Sequence, residues 1–499
     1  MMMDFVRNFP LFTIVPSLFM GALCMMLKGK AARRATIAYE CIQIVLIAFI
    51  LEYTVRTGES FTYVMGEFPA PWGNEIRAGT LEALLALTFM LVMLSAVLAG
   101  KRFIKSDIDE SKINLYYSLI NLMTAALMAE VWTNDIFTGY VFVEIMTLTS
   151  CGILIVREMG RTTLAAMRYM ILNLLGSGLF LLGVVLLYDV TGNLLMVPMC
   201  REIEKLSADP QGMVVVTMAT AIITIGLSIK SGLFPFHYWM PDTYGAATPT
   251  SGAILSSLVS KGYIFLLIKI YWRVIGVEVF ERMPVHRILF VLGICGMIFG
   301  SVAAIRENNV NRMVAFSSAA QIGYIYAGIG IGGLYGYTAA IFHIMMHAVT
   351  KSLLFLTTPR LAEVSEGSLR FRNLTGAALR DRNAGVAFLI GSFSMIGIPV
   401  FAGFSSKMLF GVAAVRSEEV VPMTVLMLAL AASSMLNAVY FMRTLIRLYD
   451  HKGPGGEKVR SLHRADYNVP VLMLTAMNMF LGLASGVVVN LIETGLKML

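Results

Sequence analysis

The sequence predicts an all-α protein that crosses a membrane about fourteen times. Two observations lead there. The 499 residues are 57% hydrophobic and only 14% charged, with a mean hydropathy of +0.75, whereas a soluble chain carries about 25% charged residues. The apolar residues also gather in runs of about 20, the length that spans a bilayer core as a helix.

Fourteen such segments follow one another. Segment 1 (8–27) comes after Asp4 and Arg7, and no small-residue cleavage site follows it, so it reads as a retained helix and not as a secretory signal. Segments 2 (37–54), 3 (81–100) and 4 (113–131) are mostly apolar. Segment 5 (135–156) carries Glu144, and segment 6 (164–188) carries Arg168 one turn inside its start. Segment 7 (213–234) runs apolar to Lys230 and meets Pro235 just beyond. Segment 8 (247–271) holds Lys261. Segment 9 (287–305) is uncharged inside, and segment 10 (313–332) closes on "GIGIGG" (328–333). Segment 11 (334–357) contains "HIMMHAVTK". Segment 12 (384–412) contains "GIPVFAGFSSK", and segments 13 (421–448) and 14 (468–494) complete the series.

Charge and cysteine content exclude several functions. The net charge is +8, but the loops that follow odd-numbered segments hold 21 Lys and Arg against 9 on the other side. Positively charged loops stay in the cytoplasm, so both termini are expected to face away from it. No basic folded surface of the kind that binds nucleic acid is evident. The cysteines (Cys24, Cys41, Cys151, Cys200, Cys295) form no C-x-x-C pair, so buried thiols are expected, with no metal and no disulfide. "GIGIGG" matches G-x-G-x-x-G but has no strand before it, so close helix packing is the expected use of its glycines. With no Walker motif either, no bound cofactor and no direct drive by ATP are expected.

An ionisable group at membrane depth is costly and therefore a functional candidate. Glu130, Asp135 and Lys269 lie near segment ends and read as snorkelling to the interface, and Arg168 is open to the same reading. Glu144, Lys230, Lys261, His343, His347, Lys351 and Lys407 remain. In "SIKSGLFPFHYWMPD" (228–242), Lys230 precedes Pro235, which removes a backbone donor and breaks the helix. Broken helices inside a membrane line protein or water-filled cavities, and transporters place ion sites at them. Segment 12 repeats the design with Gly397, Pro399 and Gly403 in mid-segment, followed by Lys407. Two broken helices, each with a lysine, suggest two halves: segments 4–8 (113–271) and 9–13 (287–448), flanked by 1–112 and 468–499. Five is odd, so the second half would be inverted.

His343, His347 and Lys351 are spaced i, i+4, i+8. Successive members drift about 40° and climb about 6 Å, forming a ladder on one face. The spacing lacks the glutamate of a zincin, and no carboxylate stands within it. A proton ladder fits these side chains better than a metal pair, because histidine titrates near neutral pH. Histidines satisfied structurally at a kink are the simpler alternative.

The motifs "FPAPWGNEIRAGTLEAL" (68–84), "DIFTGYVFVEIMTL" (135–148), "IKSGLFPFHYWMPDTYGAATPTSGAILSSLVSKGYIFLL" (229–267), "NRMVAFSSAAQIGYI" (311–325), "HIMMHAVTKSLLF" (343–355) and "GIPVFAGFSSK" (397–407) occur in this order. With them nearly the whole chain resembles the antiporter-like subunits shared by respiratory complex I, Mrp-type sodium/proton antiporters and energy-converting membrane-bound hydrogenases. The resemblance implies fourteen transmembrane helices, with two inverted five-helix repeats and helices 7 and 12 discontinuous. It implies that Glu144 and Lys230 are the partnered glutamate and lysine, Lys261 the central lysine, His343, His347 and Lys351 the linking ladder, and Lys407 the terminal lysine. His237 belongs to the signature as a structural or water-path residue. Lys407 argues against the subunit type with glutamate there, and the chain ends too soon after segment 14 for a long lateral helix. What remains resembles the D-type Mrp subunit most closely, with the smallest antiporter-like subunit of complex I or a hydrogenase-associated equivalent as the other types. One departure is Gly79-Thr80, with Glu82 nearby, where the family has an aspartate.

The resemblance also implies sister hydrophobic subunits, an attached redox arm or a coupled sodium gradient, and residence in the cell's inner membrane. The mechanism expected is a relay from the Glu144–Lys230 pair through Lys261 and the His343–His347–Lys351 ladder, in that order, to Lys407. A stand-alone solute carrier would gather polar residues at one site, whereas these charges are strung over five segments. A structural subunit with a vestigial path would have no use for so costly a set.

Overall fold

The computed structural model describes residues 6–68, 73–417, 420–451 and 465–499. Asp4, Pro69 to Trp72 of the first motif, and the basic residues between 452 and 464 lie outside the described residues.

All fourteen segments are helical. Among the described residues eleven helices are long and apolar enough to cross a membrane, or twelve if the bent pair Asp466–Leu483 and Ser485–Lys497 is one span. Segment 14 therefore turns by 79° instead of running straight through. The other two segments are Ile113–Trp132 (segment 4) and the pair Arg382–Ile396 and Ala402–Arg416 (segment 12). Many helix starts follow local chemistry. Pro210, Pro249 and Pro284 open segments 7, 8 and 9 at first-turn positions, where the missing donor costs nothing. Asp135, Asn309 and Asp381 accept backbone N–H bonds as N-caps of segments 5, 10 and 12.

Two features depart from the all-α expectation or from the expected loops. Phe61–Val64 (β1) pairs antiparallel with Glu75–Ala78 (β2), Phe61 facing Ala78 and Val64 facing Glu75. This hairpin lies over the end of segment 4: Ile76 bridges to Thr133, and the Asn134 amide donates to the Glu75 carbonyl at 2.9 Å. A further helix, Met196–Leu206, follows segment 6.

The predicted breaks are both present and share one cap geometry. Segment 7 ends at Ser231; Gly232 is left-handed (φ 78°), and the amides of Gly232 and Leu233 both bond the Ser228 carbonyl at 3.0 Å. Segment 12 is interrupted at Gly397 (φ 94°), where the amides of Gly397 and Ile398 bond the Phe393 carbonyl at 3.0 Å. Both are glycine-terminated helix ends. Val400 also sits at φ 82° within the second break, a strained conformation for a β-branched residue. Gly397→Ala is expected to cost about 1–2 kcal/mol from backbone strain alone, because its Cβ would also stand 2.8 Å from Lys407 Cδ. A lower melting temperature of the purified protein in detergent checks this.

The helices are not equally buried. The apolar stretches of segments 8 and 11 are wholly enclosed, whereas less than a third of that of segment 2 is. Segment 8 is also irregular, with π turns at Leu255–Val259 and Tyr271–Ile275. Of the glycines read as packing residues, Gly328 and Gly330 serve that purpose, a Cβ on Gly330 meeting the Phe290 backbone nitrogen at 2.3 Å, whereas Gly332 and Gly333 (φ 70° and 64°) instead supply the left-handed link between segments 10 and 11.

Candidate functional site

Lys230 is fully buried at the end of the first half of segment 7. Its ammonium donates to Thr147 Oγ1 at 2.7 Å and to Glu144 Oε1 at 3.3 Å, and it faces the Tyr263 ring at 5.5 Å. The expected pair is thus present, and it is asymmetric: the Glu144 side chain keeps 22% of its surface and Lys230 none. The two break lysines lie on opposite sides of their breaks. Lys230 precedes Gly232, while half-buried Lys407 follows Gly397 and reaches back to the Ile396 carbonyl at 2.5 Å and the Met395 carbonyl at 3.3 Å. Those carbonyls are at a helix end, where a cation is favoured.

The other break residues occupy separate surroundings. Pro235 follows Phe234 through a cis peptide bond and leads the short turn Phe236–Tyr238. His237 is buried in that turn, stacked between Phe234 and Tyr238, and its Nδ1 has no hydrogen-bond partner among the described residues. Pro399 is exposed in the non-helical stretch between Gly397 and Ala402.

Lys261, His343, His347 and Lys351 are completely buried. Lys261 donates to the Ser256 carbonyl and to Ser260 Oγ at 3.0 Å, within the π turn and just after it. Lys351 donates to the Val314 carbonyl at 2.8 Å and to Ser317 Oγ, both on segment 10. His343 bonds Ser406 Oγ through Nδ1 at 2.7 Å, and its ring lies 6.0 Å from that of His347. Neither nitrogen of His347 has a partner among the described residues.

This geometry corrects the order expected along the ladder. Lys407 does not neighbour Lys351. It lies over Tyr324, which stacks on His343 with centroids 5.2 Å apart, and its neighbour Ser406 bonds His343. The His343 end of the ladder therefore meets segment 12. Lys351, two turns and about 12 Å further along the helix, faces segment 10. Spacing gave the face of the ladder but not which end met which helix.

Several charges read as interfacial are in the interior. Glu130 is completely buried, and neither carboxylate oxygen has a partner among the described residues. Lys269 is completely buried and donates to the carbonyls of Val131 at 2.8 Å and Thr133 at 2.6 Å. Asp135 is buried as an N-cap. The hairpin pairs with residues 133–134 at this end of segment 4, and Glu130 and Lys269 have no exposed surface from which to snorkel. Arg168 is exposed and pairs with Asp242 at 2.9 Å, which also binds Arg312 at 2.6 Å. Glu40 in segment 2 is buried with both oxygens unpartnered among the described residues, and segment hydropathy gave no sign of it. Glu82, noted beside the family's missing aspartate, is buried against Arg77.

Comparison with known proteins follows the same lines. Residues 133–435 match the family model described as "NADH:quinone oxidoreductase/Mrp antiporter, TM". The chain is 31% identical over 452 residues to NADH-quinone oxidoreductase subunit N of Desulforudis audaxviator, covering 87% of each chain. It is 26% identical over 450 residues to a putative antiporter subunit mnhD2 of Staphylococcus aureus, covering 89% of this chain and 86% of the other. The fold matches a chain of the Mrp complex from Dietzia sp. DQ12-45-1b with a TM-score of 0.86 at 23% identity, over 99% of this chain and 97% of that one. A chain of the membrane-bound sulfane sulfur reductase, an archaeal respiratory membrane complex, matches at 0.85 with 24% identity over the same shares. The protein is a multi-pass membrane protein, and it belongs to the family of antiporter-like membrane subunits found in NADH:quinone oxidoreductases and Mrp antiporters.

Proposed function

We propose that this subunit moves protons through its interior along the buried side chains Glu144, Lys230, Lys261, Lys351, His347, His343 and Lys407. One observation carries the reading: among the described residues, Lys230 alone of the lysines in this row is paired with a carboxylate, while Lys261, Lys351 and Lys407 are bonded to neutral oxygens. A structural lysine at such depth would be paired to offset its desolvation. Lysines held by carbonyls and hydroxyls can give up a proton without leaving a counter-charge stranded. Titrating groups this close behave as one coupled system.

Loss of the Glu144 interaction would release the Lys230 proton inward, and Lys261 would pass it to the ladder. Transfer would then run to His343 and across Ser406 and Tyr324 to Lys407. The chain would sit in a plasma membrane among sister hydrophobic subunits, with both termini outside the cytoplasm. Its energy would come from a redox arm or from sodium exchange in those partners; the relatives named as an NADH-quinone oxidoreductase subunit and an antiporter subunit support a choice between a redox source and an antiport source. The congruent caps at Gly232 and Gly397 favour the inverted repeat of segments 4–8 and 9–13.

The test is to purify the native complex through a tag on this chain, identify its subunits by mass spectrometry, and follow proton movement in liposomes with a pH-sensitive dye. Iron–sulfur or nickel–iron subunits would make it a redox-driven pump. Small hydrophobic subunits alone would make it half of a cation/proton antiporter. A chain that transports when isolated by itself, or a complex that moves no protons, would overturn the proposal.

A further inference from the structure

Glu130 is the one wholly buried carboxylate near the row that the proposed path does not use. Its surroundings are specific. Oε2 lies against Gly262, so close that a Cβ there would stand 2.5 Å away, and any larger residue at 262 would displace the carboxylate. Gly262 is flanked by Lys261 and Tyr263 on segment 8. Tyr263, the residue next to Gly262, leads back to Lys230: Lys230 Nζ donates to Thr147 Oγ1 at 2.7 Å, Thr147 Oγ1 lies 3.2 Å from the Tyr263 hydroxyl, and the Lys230 ammonium lies 5.5 Å from the centre of the Tyr263 ring.

We propose that Glu130 is a second proton-exchanging partner of Lys230, set deeper than Glu144, that carries the proton from segment 7 to the turn of segment 8 bearing Lys261. The inference rests on the relay proposed above and adds a member to it. Lys230 then has two acids with different access: Glu144 keeps contact with the surface, and Glu130 has none. In the transfer, the proton leaves Lys230 Nζ, which becomes a neutral amine, and binds a Glu130 oxygen, which becomes a neutral acid. Two buried charges disappear together, and a low-dielectric interior favours that outcome. Lys230 regains its proton through Glu144. Glu130 passes its own proton on past Gly262 towards Lys261 and returns to the carboxylate. A purely structural carboxylate would be expected to have hydrogen-bond donors at this depth, and neither oxygen has one among the described residues.

The experiment uses the assembled native complex in liposomes. Glu130→Gln keeps size and polarity but cannot exchange a proton, and it is expected to slow proton translocation by roughly tenfold or more with subunit composition unchanged. Infrared difference spectra during turnover are expected to show a carboxylic-acid carbonyl band that is absent in E130Q. Should E130Q not assemble, E130M fills a similar volume without a buried polar group and is expected to show the same loss. Wild-type translocation in either variant overturns the inference. Lys230→Ala in the same assay separates the two claims. If K230A stops translocation and E130Q does not, the role of Glu130 alone fails. If K230A translocates normally, the relay fails with it.

Discussion

Lys230→Ala and Glu144→Ala are both expected to cut proton translocation by roughly 100-fold, the usual cost of losing a positioned proton donor or acceptor, yet they are expected to differ in stability. Removing Lys230 takes away a buried charge and leaves Glu144, which touches the surface and can be solvated there. Removing Glu144 leaves an ammonium with no exposed surface and only Thr147 as a close neutral acceptor. Breaking a fully buried pair costs about 3–5 kcal/mol. The partial exposure of Glu144 reduces that to about 1–3 kcal/mol. E144A is therefore expected to melt below K230A, and the double variant to recover most of the loss. Translocation assays in liposomes and thermal melting of the purified complex test the two parts. Equal melting of the single variants would refute the asymmetry, and near-normal transport in either would refute the role of the pair.

Glu82→Ala is expected to be the more damaging change for folding. Arg77 and Glu82 are both buried and paired, and Lys269 and Arg273 act on the same carboxylate. The cations otherwise meet main-chain and amide oxygens. Arg77 bonds the Met498 carbonyl, Arg273 the Leu499 main-chain oxygen at 2.8 Å and Asn134 Oδ1 at 3.0 Å, and Lys269 the carbonyls of Val131 and Thr133. Deleting the Glu82 carboxylate strands the buried Arg77, at a cost of about 3–5 kcal/mol. Low yield of assembled complex is the expected result, with E82Q milder and R77A/E82A partly restored. Normal yield and melting of E82A would show that the terminal residues and the carbonyls suffice.

Much of this was legible in the sequence, for physical reasons. A helix-length apolar run and a glycine–proline break are local properties, so the fourteen segments and both interruptions could be placed. Lys230, Lys261 and the His343 ladder stood out because a charge in mid-segment has no bland explanation. Glu130 and Lys269 were misjudged because depth was inferred from distance along a helix. Their surroundings are set by distant parts of the chain, Gly262 of segment 8 lying against Glu130 and Lys269 bonding the carbonyls of Val131 and Thr133, which local hydropathy does not describe. The same limit explains the reversed ladder. Spacing fixes which residues share a face, but only packing determines that His343 meets Ser406 and that Lys351 meets Ser317.

The π turn at Leu255–Val259 gives segment 8 a phase as well as a composition. A helix advances about 100° per residue, so one residue more or fewer before Lys261 would rotate every later side chain by that angle without changing the hydropathy of the run. Lys261, Gly262 and Tyr263 would leave together the sector in which Ser256, Glu130 and Thr147 await them. The segment would still be greasy, long and helical, and it would still insert. Relatives that differ here by a single insertion or deletion would thus keep the membrane fold while disconnecting its centre, and an alignment that slides a gap freely through 255–259 would hide the difference.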